Sequence, residues 1–158
     1  MFLISAGHHK HAKGARFGDF NEYDEAVVWA RKLCEYLGDR AVAVPHGKLW
    51  EKVHFINNQP DVEIAVEIHF NSGKDAEGSH IGRGCESLYY PGSDEGQEIC
   101  TLVQAKLGLV YEPNRGAKPG WYRMDEANGP DFFLAKTTCP AIIVEPEFEH
   151  NAEKIMEA

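Results

Sequence analysis

The sequence predicts a single α/β domain with three layers: an open, mixed and mostly parallel sheet flanked by helices. Three observations carry this. Apolar runs of strand length alternate along the chain with segments of helical period, the pattern of an α/β fold. The run Ala141-Ile142-Ile143-Val144 is wholly apolar, as in a central strand buried on both faces. No repeat, low-complexity tract or Pro/Ser-rich linker divides the 158 residues, which are enough for one domain with a sizeable core.

The elements follow in order. Phe2 to Ala6 is a short apolar strand, followed by a glycine- and histidine-rich loop from Gly7 to Asn21. A helix starts near Glu22. Ala26, Ala30, Leu33 and Leu37 recur on one helical face, and Gly38 suits the C-terminal cap. Glu22 and Asp24 in the first turn favour the helix dipole. Ala41 to Val44 is a second strand, closed by Pro45, and a second helix runs from about Lys48 to Asn58. Val62, Ile64, Val66 and Ile68 alternate with Glu63, Ala65, Glu67 and His69, the period of a strand.

Cys85 to Tyr90 is another strand, turned by Pro91-Gly92. Ser93 caps a helix whose first turn carries Asp94 and Glu95 and which fades near Leu107-Gly108. Glu112 to Gly129 is rich in proline, glycine and charge and reads as an ordered loop. Asp131 to Lys136 is a short helix, and Asn151 to Ala158 forms the first turns of a last one.

Composition narrows the function. The net charge is −9, and no basic cluster offsets it, which argues against nucleic acid and against anionic surfaces. No apolar run approaches the ~20 residues of a membrane-spanning helix, so no membrane insertion is expected. The N-terminus has no basic region ahead of its short apolar run and no small-residue cleavage site. It reads as a core strand without a signal peptide, made in the cytoplasm. Cys34, Cys85, Cys100 and Cys139 form no CxxC pair and read as free thiols packed as small hydrophobes.

Four residues far apart in sequence carry the chemistry: His8, Glu22, His69 and Glu145. Each follows a predicted strand or opens the helix after one. In an open α/β sheet such positions gather along one edge. Two imidazoles and a carboxylate make a zinc site of the open kind, and a further carboxylate can serve as base. That combination points to hydrolysis.

Rivals stand beside each residue. His9 and His11 compete with His8, and Asp24 and Glu25 with Glu22. Glu67 lies on the same strand face as His69, where it either orients a ligand or is solvated. Glu145 ends an apolar strand, where a carboxylate is costly unless paired or in a cleft. Glu147 is the alternative base. His46, His54, His80 and His150 show no partner pattern and read as surface or packing residues.

These segments resemble the zinc-dependent N-acetylmuramoyl-L-alanine amidases of the amidase-3 type. The stretches that carry the resemblance are Ala6-Gly7-His8, Gly14-Ala15, Glu22, Ile68-His69-Phe70-Asn71 and Val144-Glu145-Pro146-Glu147-Phe148, followed by Asn151. Asn114 to Lys118 is similar to the Arg-Gly-x-Lys stretch ahead of the family's last strand. No one motif is specific, but five in order across nearly the whole chain are. His9-Lys10 departs from the family's Gly-Gly, and the last helix is short. Pro146-Glu147 looks like the form in phage lysins.

The resemblance implies a phosphorylase/hydrolase-like fold and one Zn²⁺ per chain, held by His8, Glu22 and His69, with Glu145 as the catalytic glutamate. It implies peptidoglycan as partner and substrate, cut between N-acetylmuramic acid and L-alanine. Asn71 is then a candidate oxyanion donor, and Arg115 and Lys118 candidates for a stem-peptide carboxylate. Trp121 and Tyr122 either stack on sugar or pack. A monomer is expected, with no separate wall-binding domain and with release to the wall by a partner, holin-type if phage-encoded. A zinc peptidase on stem peptides and a non-catalytic peptidoglycan-binding module are the alternatives.

Overall fold

The computed structural model describes residues 1–122 and 126–156. Six strands form one sheet: β1 (Phe2–Ala6), β4 (Ala41–Ala43), β5 (Ile64–Ile68), β6 (Cys85–Tyr89), β7 (Asn114–Pro119) and β8 (Ala141–Glu145), in the order β4-β1-β5-β8-β6-β7. The first four in that order run parallel; β6 is antiparallel to β8 and parallel to β7. The carboxyl ends of β1, β5 and β8 therefore lie along the same edge as the amino ends of β6 and β7. That edge collects the candidate site.

Strand alternation splits the apolar residues between two faces. Leu3, Ala65, Leu88 and Ile143 pack with α2 (Leu49–Asn57) and α4 (Phe132–Lys136) on one face. Ile4 and Ile68 pack against α1 (Glu22–Leu37) on the other, where Ile142 and Val144 meet α3 (Asp94–Leu107). This gives the three expected layers. Between α1 and α3 the sheet leaves an apolar groove of about 550 Å³ floored by Ile4, Val66, Ile68 and Ile142. None of its lining residues belongs to the candidate site.

Gly38 and Ser93 cap helices as expected, and Asn21 adds a cap not anticipated from the sequence. Asn21 Oδ1 caps α1 by accepting from Asp24 N, and Gly38 closes it at φ +60 with its N–H on Cys34. Ser93 caps α3. All four cysteines are free; Cys85 and Cys100 are buried, and Cys34 and Cys139 half-buried. Among the described residues no helix is long and apolar enough to cross a membrane.

Two expectations need correction. Glu112 to Gly129 is not wholly a loop, because Asn114–Pro119 pairs with β6 as the edge strand β7. Its Gly116 and Pro119 are tolerated at an edge, where one row of backbone groups needs no partner. The Gly7 to Asn21 loop holds a small hairpin, β2 (Arg16–Phe17) and β3 (Phe20–Asn21). The closing helix α5 spans Ala152–Met156.

Candidate metal centre and active site

β1 and β5 deliver the two imidazoles side by side. Gly7 N–H donates to Ile68 O at 2.7 Å, which locks the end of β1 to the end of β5. The rings of His8 and His69 then meet edge to face, with centroids 4.9 Å apart. His8 has φ +60, a left-handed conformation that non-glycine residues adopt rarely and at a cost. Two glycines clear the space. A Cβ on Gly7 would lie 2.7 Å from the His69 ring, and one on Gly14 2.2 Å from Glu22 Oε2.

Glu22, the first residue of α1, points its carboxylate between the rings. Oε2 is 2.9 Å from His8 Nε2, and Oε1 is 2.9 Å from His69 Nδ1. Ala15 N–H donates to Oε2 at 2.9 Å and Phe70 N–H to Oε1 at 3.0 Å. Burial opposes the charge of Glu22, but hydrogen bonds and charge from His69 and His8 outweigh it and hold the carboxyl well below its ordinary range. One ligand atom from each of His8, Glu22 and His69 lies within 4.8 Å of the others. Two imidazole nitrogens and a carboxylate oxygen at such spacing fit Zn²⁺. His9 and His11 pair with each other instead, with ring centroids 6.2 Å apart.

A buried charge network stands behind His69. Glu67 Oε2 is 3.2 Å from His69 Nε2, and Oε1 accepts from Lys52 Nζ at 3.1 Å and Ser5 Oγ at 3.0 Å. Lys52 also donates to Ala6 O. Burial disfavours a charged Glu67, yet His69 and Lys52 hold its carboxyl below the ordinary value. Burial likewise opposes a charged His69, while Glu22 and Glu67 together raise it well above the usual imidazole value. Strand alternation put Glu67 on the face of His69. Nothing in the helical pattern of Leu49–Asn57 marked Lys52, which is 2% exposed.

Glu145 ends β8 one step beyond the Ile68–Val144 register pair, and His69 N–H donates to Val144 O at 2.9 Å. This sets Glu145 alongside His69. Burial pushes the Glu145 carboxyl up; the charges of Glu86 and Glu22 add to the rise, His69 and Arg115 oppose it, and the value settles at about 7. Glu86, its cross-strand partner on β6, is buried and is held by Arg115 at 3.0 Å and by Lys118. Both cations expected to meet substrate are thus already engaged by Glu86, with side chains 28% and 32% exposed. Sequence reading missed Glu86. Its only trace was a glutamate inside a predicted strand, Cys85-Glu86-Ser87-Leu88-Tyr89.

Glu147, the rival base, is buried and fully occupied in structure. It accepts from Gly84 N–H, Phe148 N–H and Asn151 Nδ2 and pairs with Lys154 at 3.5 Å. Asn71 sits two residues past His69 on the same loop. Its Nδ2 is buried with no hydrogen-bond partner among the described residues. Trp121 bridges to Pro130, and Tyr122 is exposed. His80 and His150, read as unrelated surface or packing residues, in fact stand together around Glu149.

The profile of the N-acetylmuramoyl-L-alanine amidase family matches residues 2–157. The chain belongs to that family. Solved amidases share its fold. An N-acetylmuramoyl-L-alanine amidase of Clostridium difficile 630 superposes with a TM-score of 0.80 at 20% identity, covering 99% of this chain and 83% of the other. The catalytic domain of an endolysin targeting Clostridia difficile gives 0.75 at 25% identity, with 99% and 86% covered. An amidase of Nostoc punctiforme gives 0.72 at 20%, with 99% and 93% covered. Among curated proteins none matches. As a family amidase, the chain is a hydrolase of the peptidoglycan class.

Proposed function

We propose that the chain hydrolyses the amide between N-acetylmuramic acid and L-alanine in peptidoglycan. In this reading His8, Glu22 and His69 hold one Zn²⁺ and Glu145 is the general base. The observation that carries it is the Glu22 carboxylate seated between two imidazoles at 2.9 Å each, with Glu145 on the adjoining strand end. A zinc ion bound there supplies Lewis acidity and lowers the pKa of a coordinated water.

The chain's own residues supply the rest. Glu145, on the adjoining strand end, takes a proton from the attacking water and passes it to the leaving amine. Glu67, backed by Lys52, fixes the ring of His69 from behind. Asn71 Nδ2, buried and unpaired among the described residues, donates to the developing oxyanion. Arg115 and Lys118 lie at the same edge but are engaged by Glu86, so a stem-peptide carboxylate would have to compete with Glu86 for them. The acidic chain reaches the wall without charge attraction to it, so affinity rests on these local contacts.

Mass spectrometry of products from purified peptidoglycan, with and without a chelator, tests the reading. Chelator-sensitive release of stem peptides with a free N-terminal L-alanine is expected. Cuts inside the peptide would make the chain a peptidase, and absence of products a binding module.

A further inference from the structure

A second His–Glu–His cluster stands apart from the first. It joins the loop after β5 to the segment after β8. Glu149, 0% exposed, opens a 3-10 turn, Glu149–Asn151. Its Oε1 is 2.7 Å from His80 Nδ1 and accepts from Ser72 Oγ at 3.1 Å. Its Oε2 is buried and meets no donor among the described residues; neither does buried His150 Nδ1 have a partner. One ligand atom each from His80, Glu149 and His150 lies within 4.8 Å of the others.

Buried polar atoms are nearly always paired, so two orphans in one cluster call for an explanation. A cation satisfies both at once, because a carboxylate oxygen and a neutral imidazole nitrogen each offer a lone pair. The mixed donor set disfavours Mg²⁺ and Ca²⁺, which take oxygen ligands, and favours zinc and its transition-metal neighbours. We propose that His80, Glu149 and His150 form a second binding site for a divalent transition cation, with Zn²⁺ the expected occupant.

The surroundings give this site a structural role. Phe17 of the β2–β3 hairpin covers it, with ring centroids 5.1 Å from His80 and 6.2 Å from His150. Asn71 bridges to Phe148, and Glu149 N–H donates to Asn71 O at 2.9 Å. The ion would therefore clamp the loop that carries Asn71 to the segment that follows Glu145. Glu147, the neighbouring acid, is taken up by backbone N–H groups and Lys154, so no free base adjoins the cluster from that side.

Metal counting tests the proposal. The chelated protein is reloaded with Zn²⁺ against a weak competing chelator and its content measured by mass spectrometry; Co²⁺ replaces Zn²⁺ for visible spectra. About two equivalents are expected for the wild type, and about one each for His69→Ala and for His80→Ala. His69→Ala alters no residue of the second cluster, so its remaining equivalent, with an imidazole–cobalt band, reads that cluster directly. One equivalent in the wild type, kept by His80→Ala and lost by His69→Ala, overturns the second site. One equivalent kept by His69→Ala and lost by His80→Ala upholds it and overturns the first cluster as the metal centre. If His80→Ala fails to fold, the wild-type count and His69→Ala still decide.

Discussion

In the first cluster Glu22 lies between two imidazoles and receives two backbone N–H groups, so both carboxylate oxygens are satisfied. In the second, Glu149 has one imidazole and one hydroxyl on Oε1, while Oε2 and His150 Nδ1 have no partner among the described residues. The donor sets are the same. Both lie beyond the carboxyl ends of strands: the first follows β1 and β5 beside Glu145, and the second joins the loop after β5 to the segment after β8 under Phe17. In the proposed reading the difference is the Glu145 carboxylate beside the first cluster and the Phe17 ring over the second.

The variants that would sharpen this contrast differ in reach. The largest effect is expected for His69→Ala, which removes a proposed ligand from the first cluster. Product release should fall by roughly 10³-fold or more, the scale of losing a metal ligand together with its bound water's chemistry. His80→Ala, assayed in parallel, should stay within about tenfold, since it supports the loop and does not touch the reacting centre. Equal losses would erase the distinction between the clusters.

Lys52→Met comes next. It leaves Glu67 buried without its cation, and breaking such a pair costs about 3–5 kcal/mol. Urea unfolding should show the loss, with weaker metal binding as His69 loses its backing. An unchanged midpoint would remove the network from the account. Gly14→Ala should cost roughly 1–3 kcal/mol, because alanine is strained at φ +74 and its Cβ would meet Glu22 Oε2 and the His8 ring. Metal binding to the first cluster should weaken while that of the second stays.

The pH response of the chelated protein is a smaller effect. The Glu22 carboxyl is lowered on folding, so its stabilisation is complete above the ordinary value of 4.5 and is lost as pH falls below it. The His69 imidazole is raised, so its share is complete below 6.5 and is lost as pH rises through the raised value. The two shifts describe largely one interaction, counted once. Calorimetry from neutral to acid pH should show the midpoint falling below about pH 4.5, and Glu22→Gln should flatten that limb. A limb unchanged by the variant would contradict the assignment.

Periodicity made much of this molecule legible. The alternation in Val62 to His69 placed Glu67 and His69 on one face, and they touch at 3.2 Å. The apolar run of β8 marked the central strand, and Gly38 and Ser93 sit where the helix boundaries fall. β7 was hidden because its residues look like a loop; only pairing with β6 makes them a strand. Lys52, Glu86 and the grouping of His80 with His150 were hidden for one reason. Each depends on what a distant segment brings against it, and local pattern carries no trace of that.

The central claim is that Glu145, beside the first cluster, moves the proton. Glu145→Gln keeps the shape and removes the base. Metal content and released stem peptides should be measured on the same sample. The account predicts unchanged metal at the first cluster and product release lowered by about 10²–10⁴-fold. Release at the wild-type rate, or loss of metal along with activity, would contradict it.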